Sequence, residues 1–182
     1  MAEWEDREII EGVSTPGREE TAFNQLVQKY QEKLYWHIRK IVIDHEDADD
    51  VLQNTFIKIW RSLPGFRSDS RLFTWLYRIA TNEALSFLKQ KKRRRTTPIE
   101  DVEHTVGGQL ESDPWFDGDE IQLKLQQAIL KLPEKQRLVF NMKYFDGMKY
   151  DEMAEVLKTS VGALKASYHH AVRKIEAMLD KH

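Results

Sequence analysis

Six of the seven residues from Lys89 to Arg95 are basic: Lys89, Lys91, Lys92, Arg93, Arg94 and Arg95. The chemistry open to such a block is electrostatic, because cations repeated at the end of a helix can follow a phosphate backbone. A second concentration of polar groups runs from Ser160 to Arg173 and includes Lys165, Ser167, His169 and His170. A third is acidic, with Asp44, Glu46, Asp47, Asp49 and Asp50 close in sequence. Those carboxylates suggest a metal site, but they have neither calcium-loop spacing nor a His/carboxylate catalytic pattern. His169 and His170 are poor co-ligands, since neighbours on a helix point about 100° apart. The chain has no cysteine, which excludes disulfides, thiolate metal sites and cysteine nucleophiles. No convergent acid, base and nucleophile set is present. The reading is of a protein without metal, cofactor or catalysis.

A net charge of −2 does not itself point to nucleic acid; its distribution does. After the basic block, residues 96–123 contain no Lys or Arg, while Glu100, Asp101, Glu103, Glu111, Asp113, Asp117, Asp119 and Glu120 supply eight acids. Such a block reads as solvated or disordered chain. The 41% of hydrophobic residues is enough for real cores. No apolar run approaches the roughly 18 residues that cross a bilayer. Residues 1–18 show neither the basic start nor the apolar stretch of a signal peptide. The expectation is a soluble cytoplasmic protein with no membrane insertion of its own.

The elements that must position these groups are helical. Phe23, Leu26, Val27, Tyr30, Leu34, Ile38, Ile41 and Val42 recur at three- and four-residue steps, one wide apolar face. Asp44 is suited to cap the next helix, which would bury Ala48, Val51, Leu52, Phe56, Ile59 and Leu63 before Pro64-Gly65 breaks it. Ser70 is the expected cap of a third helix, with Phe73, Leu76, Tyr77, Ala80, Ala84, Phe87 and Leu88 on one face. Pro98, Gly107-Gly108, Pro114 and Gly118 then mark a linker, with Trp115 and Phe116 as candidate contact residues. Beyond it Ile121, Leu125, Ala128 and Leu132 form a stripe, Pro133 restarts the chain in a first helical turn and Gly147 closes that helix. A short helix, Asp151 to Leu157, leads through Lys158-Thr159-Ser160 into a long one from Val161 towards Leu179, a helix-turn-helix outline. A plain helical hairpin explains that spacing equally well.

The run Asp47-Ala48-Asp49-Asp50-Val51-Leu52-Gln53-Asn54-Thr55-Phe56-Ile57-Lys58-Ile59-Trp60 resembles region 2.2 of bacterial sigma factors. Phe73-Thr74-Trp75-Leu76-Tyr77-Arg78-Ile79-Ala80-Thr81-Asn82 resembles regions 2.3 and 2.4, and Leu132-Pro133 through Ala171 resembles region 4. The order is right, a linker stands in the right place, and the large middle region of housekeeping factors is missing. The sequence is thus similar to the short extracytoplasmic-function (ECF) group. The resemblance implies an all-α fold of two small helical domains on a flexible acidic linker. The segments are a tail (1–20), a region 2 bundle (21–95), the linker (96–118) and a region 4 helix-turn-helix domain (119–182). It implies a subunit that gives RNA polymerase its promoter choice without being an enzyme.

The same resemblance assigns roles. Asp47, Asp50, Gln53, Asn54, Ile57 and Trp60 would dock on the clamp coiled coil of core polymerase, as acids and amides beside exposed apolar groups. Trp75, Tyr77, Arg78, Asn82, Ser86 and Lys89, with Arg67 and Ser68 of the base-pocket loop from Gly65 to Arg71, would open the −10 element and hold its non-template strand. That task needs flat side chains, groups for base edges and cations for phosphates. Core packing is the competing reading of Trp75 and Tyr77. Ser86 stands where many relatives carry Asp. Ser160, Ala163, Lys165, Ser167, His169, His170 and Arg173 would face the −35 duplex, with Lys165, His170 and Arg173 on phosphates. Lys158 takes a turn position that is usually Gly, and Ala163 replaces a common Thr. The resemblance also implies a contact to the polymerase flap, and an anti-sigma factor as the class of regulator. An ordinary helix-turn-helix regulator would explain the second half, but not the Trp75-to-Asn82 run or the acidic helix. A metal-dependent nuclease built on the Asp47 cluster lacks the remaining groups, and a structural adaptor would not need the basic run.

Overall fold

The computed structural model describes residues 4–94 and 120–180. In chain order the helices are α1 (Asp6–Val13), α2 (Glu19–Val42), α3 (His45–Ser62), a 3-10 turn (Leu63–Gly65), α4 (Leu72–Arg94), α5 (Glu120–Leu130), α6 (Glu134–Tyr144), α7 (Tyr150–Leu157) and α8 (Val161–Leu179). No strand occurs among the described residues. They divide into two units, the first largely α1–α4 and the second largely α5–α8. The expected linker, with Trp115 and Phe116, and Arg95 lie outside the described residues.

In the first unit the apolar stripe of α2 becomes the centre of the core. Leu26, Leu34 and Ile38 are completely buried, and Tyr30, Ile41 and Val42 nearly so. Each fully buried aliphatic side chain contributes about 1.5–3 kcal/mol before the entropy of ordering is set against it. Asp44 caps α3 as expected, accepting from the Asp47 backbone N–H at 3.0 Å. Ala48, Val51, Ile59 and Leu63 are buried from that side. From α4 come Leu72, Leu76, Ala80 and Ala84. This helix opens at Leu72, so Arg71 rather than Ser70 precedes its first residue, and the Arg71 carbonyl accepts from Trp75 N–H at 3.1 Å.

Residues 6–13, expected to belong to a tail, form a helix docked on α2. Ile9 is fully buried and Val13 nearly so. The Tyr30 hydroxyl donates to the Asp6 carboxylate, 2.7 and 2.8 Å from its two oxygens. Lys29 Nζ lies 3.0 Å from Asp6 and donates to the Trp4 carbonyl at 3.0 Å. The Arg18 guanidinium sits 5.0 Å from the centre of the Trp4 ring. Gly12 makes the approach possible, because a Cβ there would stand 2.8 Å from Ala22 Cβ and 2.9 Å from the Trp4 ring.

In the second unit Ala128, Ile129, Leu132, Phe140, Ala171 and Ile175 form one cluster, flanked by Leu125, Phe145, Tyr168, Val172 and Met178. Pro133 stands just before α6, its carbonyl accepting from Arg137 N–H at 2.9 Å. Gly147 takes the left-handed conformation (φ 63°) beyond that helix. The turn between α7 and α8 puts Lys158 at φ 49° and ψ 47°, a region that L side chains enter at a cost. Ser160 caps α8, accepting from Ala163 N–H at 3.2 Å.

Candidate polymerase and promoter surfaces

On α4 one stripe faces outward. Arg78 is half-buried, and Asn82, Ser86 and Lys89 are exposed at steps of four, four and three. The opposite side is locked into the core. His37 Nε2 donates to the buried Thr81 hydroxyl at 2.7 Å, and that hydroxyl donates to the Tyr77 carbonyl at 2.6 Å. Since one hydroxyl has one proton to give, the imidazole carries its proton on Nε2. Lys58 of α3 pairs with Glu83, fixing the flank of the same helix.

Two of the residues expected at the −10 surface are buried, which favours the core-packing reading of both. Trp75 is 8% exposed and Tyr77 3%. The Trp75 ring lies 5.1 Å from that of Phe66, and the Tyr77 ring is tilted against Phe73 at 4.3 Å and His37 at 4.7 Å. Buried on several sides, neither offers an open face for a base; their packing holds α4 in place. Arg67 and Ser68 lie exposed on the loop before α4, with Ser68 at φ 58°. A cavity of about 400 Å³ opens between this loop and α1, lined by Asp6, Arg7 and Glu11 on one side and Ser68, Ser70 and Arg71 on the other. The α1 residues were missed because the N-terminal segment was read as tail. The signal that would have found them is Ile9, Ile10 and Val13 at helical spacing beside acids.

On α3, Asp50, Gln53, Asn54, Ile57 and Trp60 are exposed and Asp47 is half-buried. Ile57 at 48% and Trp60 at 44% are large apolar side chains left in solvent. The Trp60 ring rests edge-on against Phe23, 4.9 Å between centres, so part of its orientation is fixed. The acids just before them are partly engaged, Asp44 as the helix cap and Asp49 with His45 at 3.6 Å.

On α8, Leu164, Ala171 and Ile175 face inward, while Ala163, Lys165, Ala166, His169, His170 and Arg173 are exposed and Ser167 is half-buried. Ser160 spends its hydroxyl on the cap, so it shapes the start of α8. The ammonium groups of Lys143 and Lys165 flank the Tyr150 ring at 4.7 and 5.8 Å. The His169 and His170 rings stand 6.1 Å apart and tilted by 56°. Burial, with the nearby Tyr150 and Tyr144 hydroxyls, pushes the Tyr168 phenol above its ordinary value, and burial lowers Arg137.

Among the described residues no helix is long and apolar enough to cross a membrane.

Comparison with known proteins accounts for both units. The Sigma-70 region 2 family model matches residues 26–94, and the Sigma-70 region 4 model matches residues 122–175. The chain is 34% identical to the RNA polymerase sigma-H factor of Pseudomonas aeruginosa, over 98% of this chain and 96% of the relative. It is 33% identical to the ECF RNA polymerase sigma-E factor of Escherichia coli, over 94% and 92%. Among solved structures, CnrH in complex with the cytosolic domain of CnrY superposes with a TM-score of 0.70 at 27% identity, covering 97% of each chain. The sigma factor RpoE from Bartonella quintana, solved with the anti-sigma factor NepR, shares the fold with a TM-score of 0.70 at 20% identity, over 87% of this chain and 96% of that one. With a buried scaffold behind α4, an outward α8 and full-length similarity to such relatives, the chain belongs to the ECF family of RNA polymerase sigma factors, non-catalytic subunits that bind core polymerase and direct promoter recognition and transcription initiation.

Proposed function

We propose that three surfaces of this chain divide the work. The outward side of α3 (Asp47, Asp50, Gln53, Asn54, Ile57 and Trp60) docks on the clamp coiled coil. Arg67, Ser68, Arg78, Asn82, Ser86 and Lys89 hold the non-template strand of the −10 element, with Trp75 and Tyr77 as internal supports. Ala163, Lys165, Ser167, His169, His170 and Arg173 face the −35 duplex, with Ser160 setting the start of that helix. The working domains are 21–95 and 119–182, with α1 added to the first.

The observation that supports this reading best is the α4 stripe, where Arg78, Asn82, Ser86 and Lys89 face outward from a helix otherwise built into the core. An amide, a hydroxyl and cations at successive turns match a single strand's bases and phosphates. Two modest DNA contacts on one chain raise each other's effective concentration, so separate weak modules suffice. The protein acts in the cytoplasm, where polymerase and promoter are. An anti-sigma factor controls it by covering these surfaces; this extends to the present chain the partners seen in the CnrH and RpoE complexes.

The test separates the surfaces. Arg78→Ala with Asn82→Ala is expected to impair promoter opening while core affinity stays near that of the parent. Trp60→Ala is expected to weaken core binding by about 2 kcal/mol or more, the size of a central aromatic contact. Loss of core affinity in the first variant, or unchanged affinity in the second, would overturn the assignment.

A further inference from the structure

We propose that Lys58 on α3 acts on the −10 step without touching DNA, by neutralising Glu83 so that the flank of α4 does not repel the non-template strand. This rests on the proposed function, which lays that strand along Arg78, Asn82, Ser86 and Lys89. Glu83 is the one acid among the 23 residues of α4. The other charged side chains of that helix are all cations: Arg78, Lys89, Lys91, Lys92, Arg93 and Arg94. Glu83 follows Asn82 directly and stands three residues before Ser86, and residues three apart on a helix are surface neighbours. A phosphate held at Asn82 or Ser86 therefore falls within about one Debye length of the Glu83 carboxylate, about 8–10 Å at moderate salt.

The pair joins unequal partners. The Lys58 ammonium donates to Glu83 Oε1 from the neighbouring helix. The Glu83 side chain is 17% exposed and that of Lys58 60%, so water screens the acid poorly while the ammonium sits at the surface. Burial already seats both helices. Ile59 beside Lys58, and Ala80 and Ala84 around Glu83, are fully buried. An ion pair with so exposed a lysine adds little to stability on top of that packing. Its effect on local charge is larger. With Lys58 in place the flank of α4 is neutral beside Asn82; without it, one negative charge stands where a polyanion must pass. Lys58 is on this account a positioning residue, acting on the strand through Glu83.

The experiment uses holoenzyme reconstituted from core RNA polymerase and the full chain, as parent, Lys58→Met, Glu83→Gln or the double variant. Core affinity is measured first, then affinity for a fork-junction DNA single-stranded across the −10 element, at several salt concentrations. Core affinity should be the same in all four. At low salt Lys58→Met should weaken fork binding about threefold, the scale of one charge about 8 Å away near water. Glu83→Gln should strengthen it by a similar factor, and the double variant should return to the parent value. The spread between variants should shrink as salt rises. Weaker fork binding in both single variants would reduce the pair to a mechanical strut and overturn the inference, as would a loss of core affinity in Lys58→Met. Equal fork binding in all four would overturn it too. Unimpaired fork binding by Arg78→Ala with Asn82→Ala would instead overturn the proposed function itself.

Discussion

His37 and Thr81 meet inside the first unit, the imidazole Nε2 donating to the hydroxyl at 2.7 Å with both residues about 1% exposed. The bond ties α2 to α4, the helix that bears the proposed −10 stripe. Thr81→Val keeps the shape but leaves the Nε2 proton without that acceptor, which should cost about 1–3 kcal/mol. Urea unfolding followed by tryptophan fluorescence will read it, since residues 120–182 contain no tryptophan. The double variant His37→Phe with Thr81→Val should recover part of the loss, because the Nε2 donor and the hydroxyl it meets are removed together.

Tyr30 gives the first unit a weakness in alkali. Its folded-state pKa is raised, chiefly by burial and then by Asp6. A group raised on folding stabilises fully below its unfolded value, about 10 for tyrosine, and loses that contribution as pH climbs towards the folded value. Stability should therefore decline above about pH 10. Tyr30→Phe, which cannot ionise, should show a shallower decline over the same window when unfolding is followed at a series of pH values.

Lys158 sits in the left-handed region at the turn of the helix-turn-helix. Lys158→Gly removes the side-chain penalty, about 1–2 kcal/mol, and adds chain entropy to the unfolded state, about 0.5–1 kcal/mol. A net gain of about 0.5 kcal/mol is expected in the second unit. Thermal melting followed by circular dichroism checks it, and a loss would mean that the lysine makes a stabilising contact.

Lys165 is exposed on α8 beside Tyr150. Lys165→Ala should weaken holoenzyme binding to −35-bearing duplexes and flatten the dependence of log affinity on log salt by about one unit. An unchanged slope would remove Lys165 from the phosphate contacts.

Caps and breakers were the most legible part of the chain. Asp44 and Ser160 both accept the backbone N–H that their position implied, because a cap is a local event. Gly147 does its turn work where expected. The apolar stripes of α2 to α4 were readable from period alone. The burial of Trp75 on α4 was not. Period places Tyr77 on the inner face, whereas Trp75 lies off the apolar stripe and is buried with the Phe66 ring of the preceding loop 5.1 Å away, a contact that helical period does not encode. The first helix escaped notice for a related reason. Eight residues with acids in the first turn carry little helical stability alone, and this helix exists through what it meets on α2.

The close fit of Gly12 against Ala22 has a consequence for handling the protein. Even a methyl group there requires Ala22 and the Trp4 ring, or the first helix itself, to shift. A single alanine at that point would place its methyl group 2.8 Å from Ala22 Cβ, so the contact between the first helix and α2 has to loosen. Residue 12 is thus the point at which the smallest possible addition tests how tightly the first helix must seat on α2.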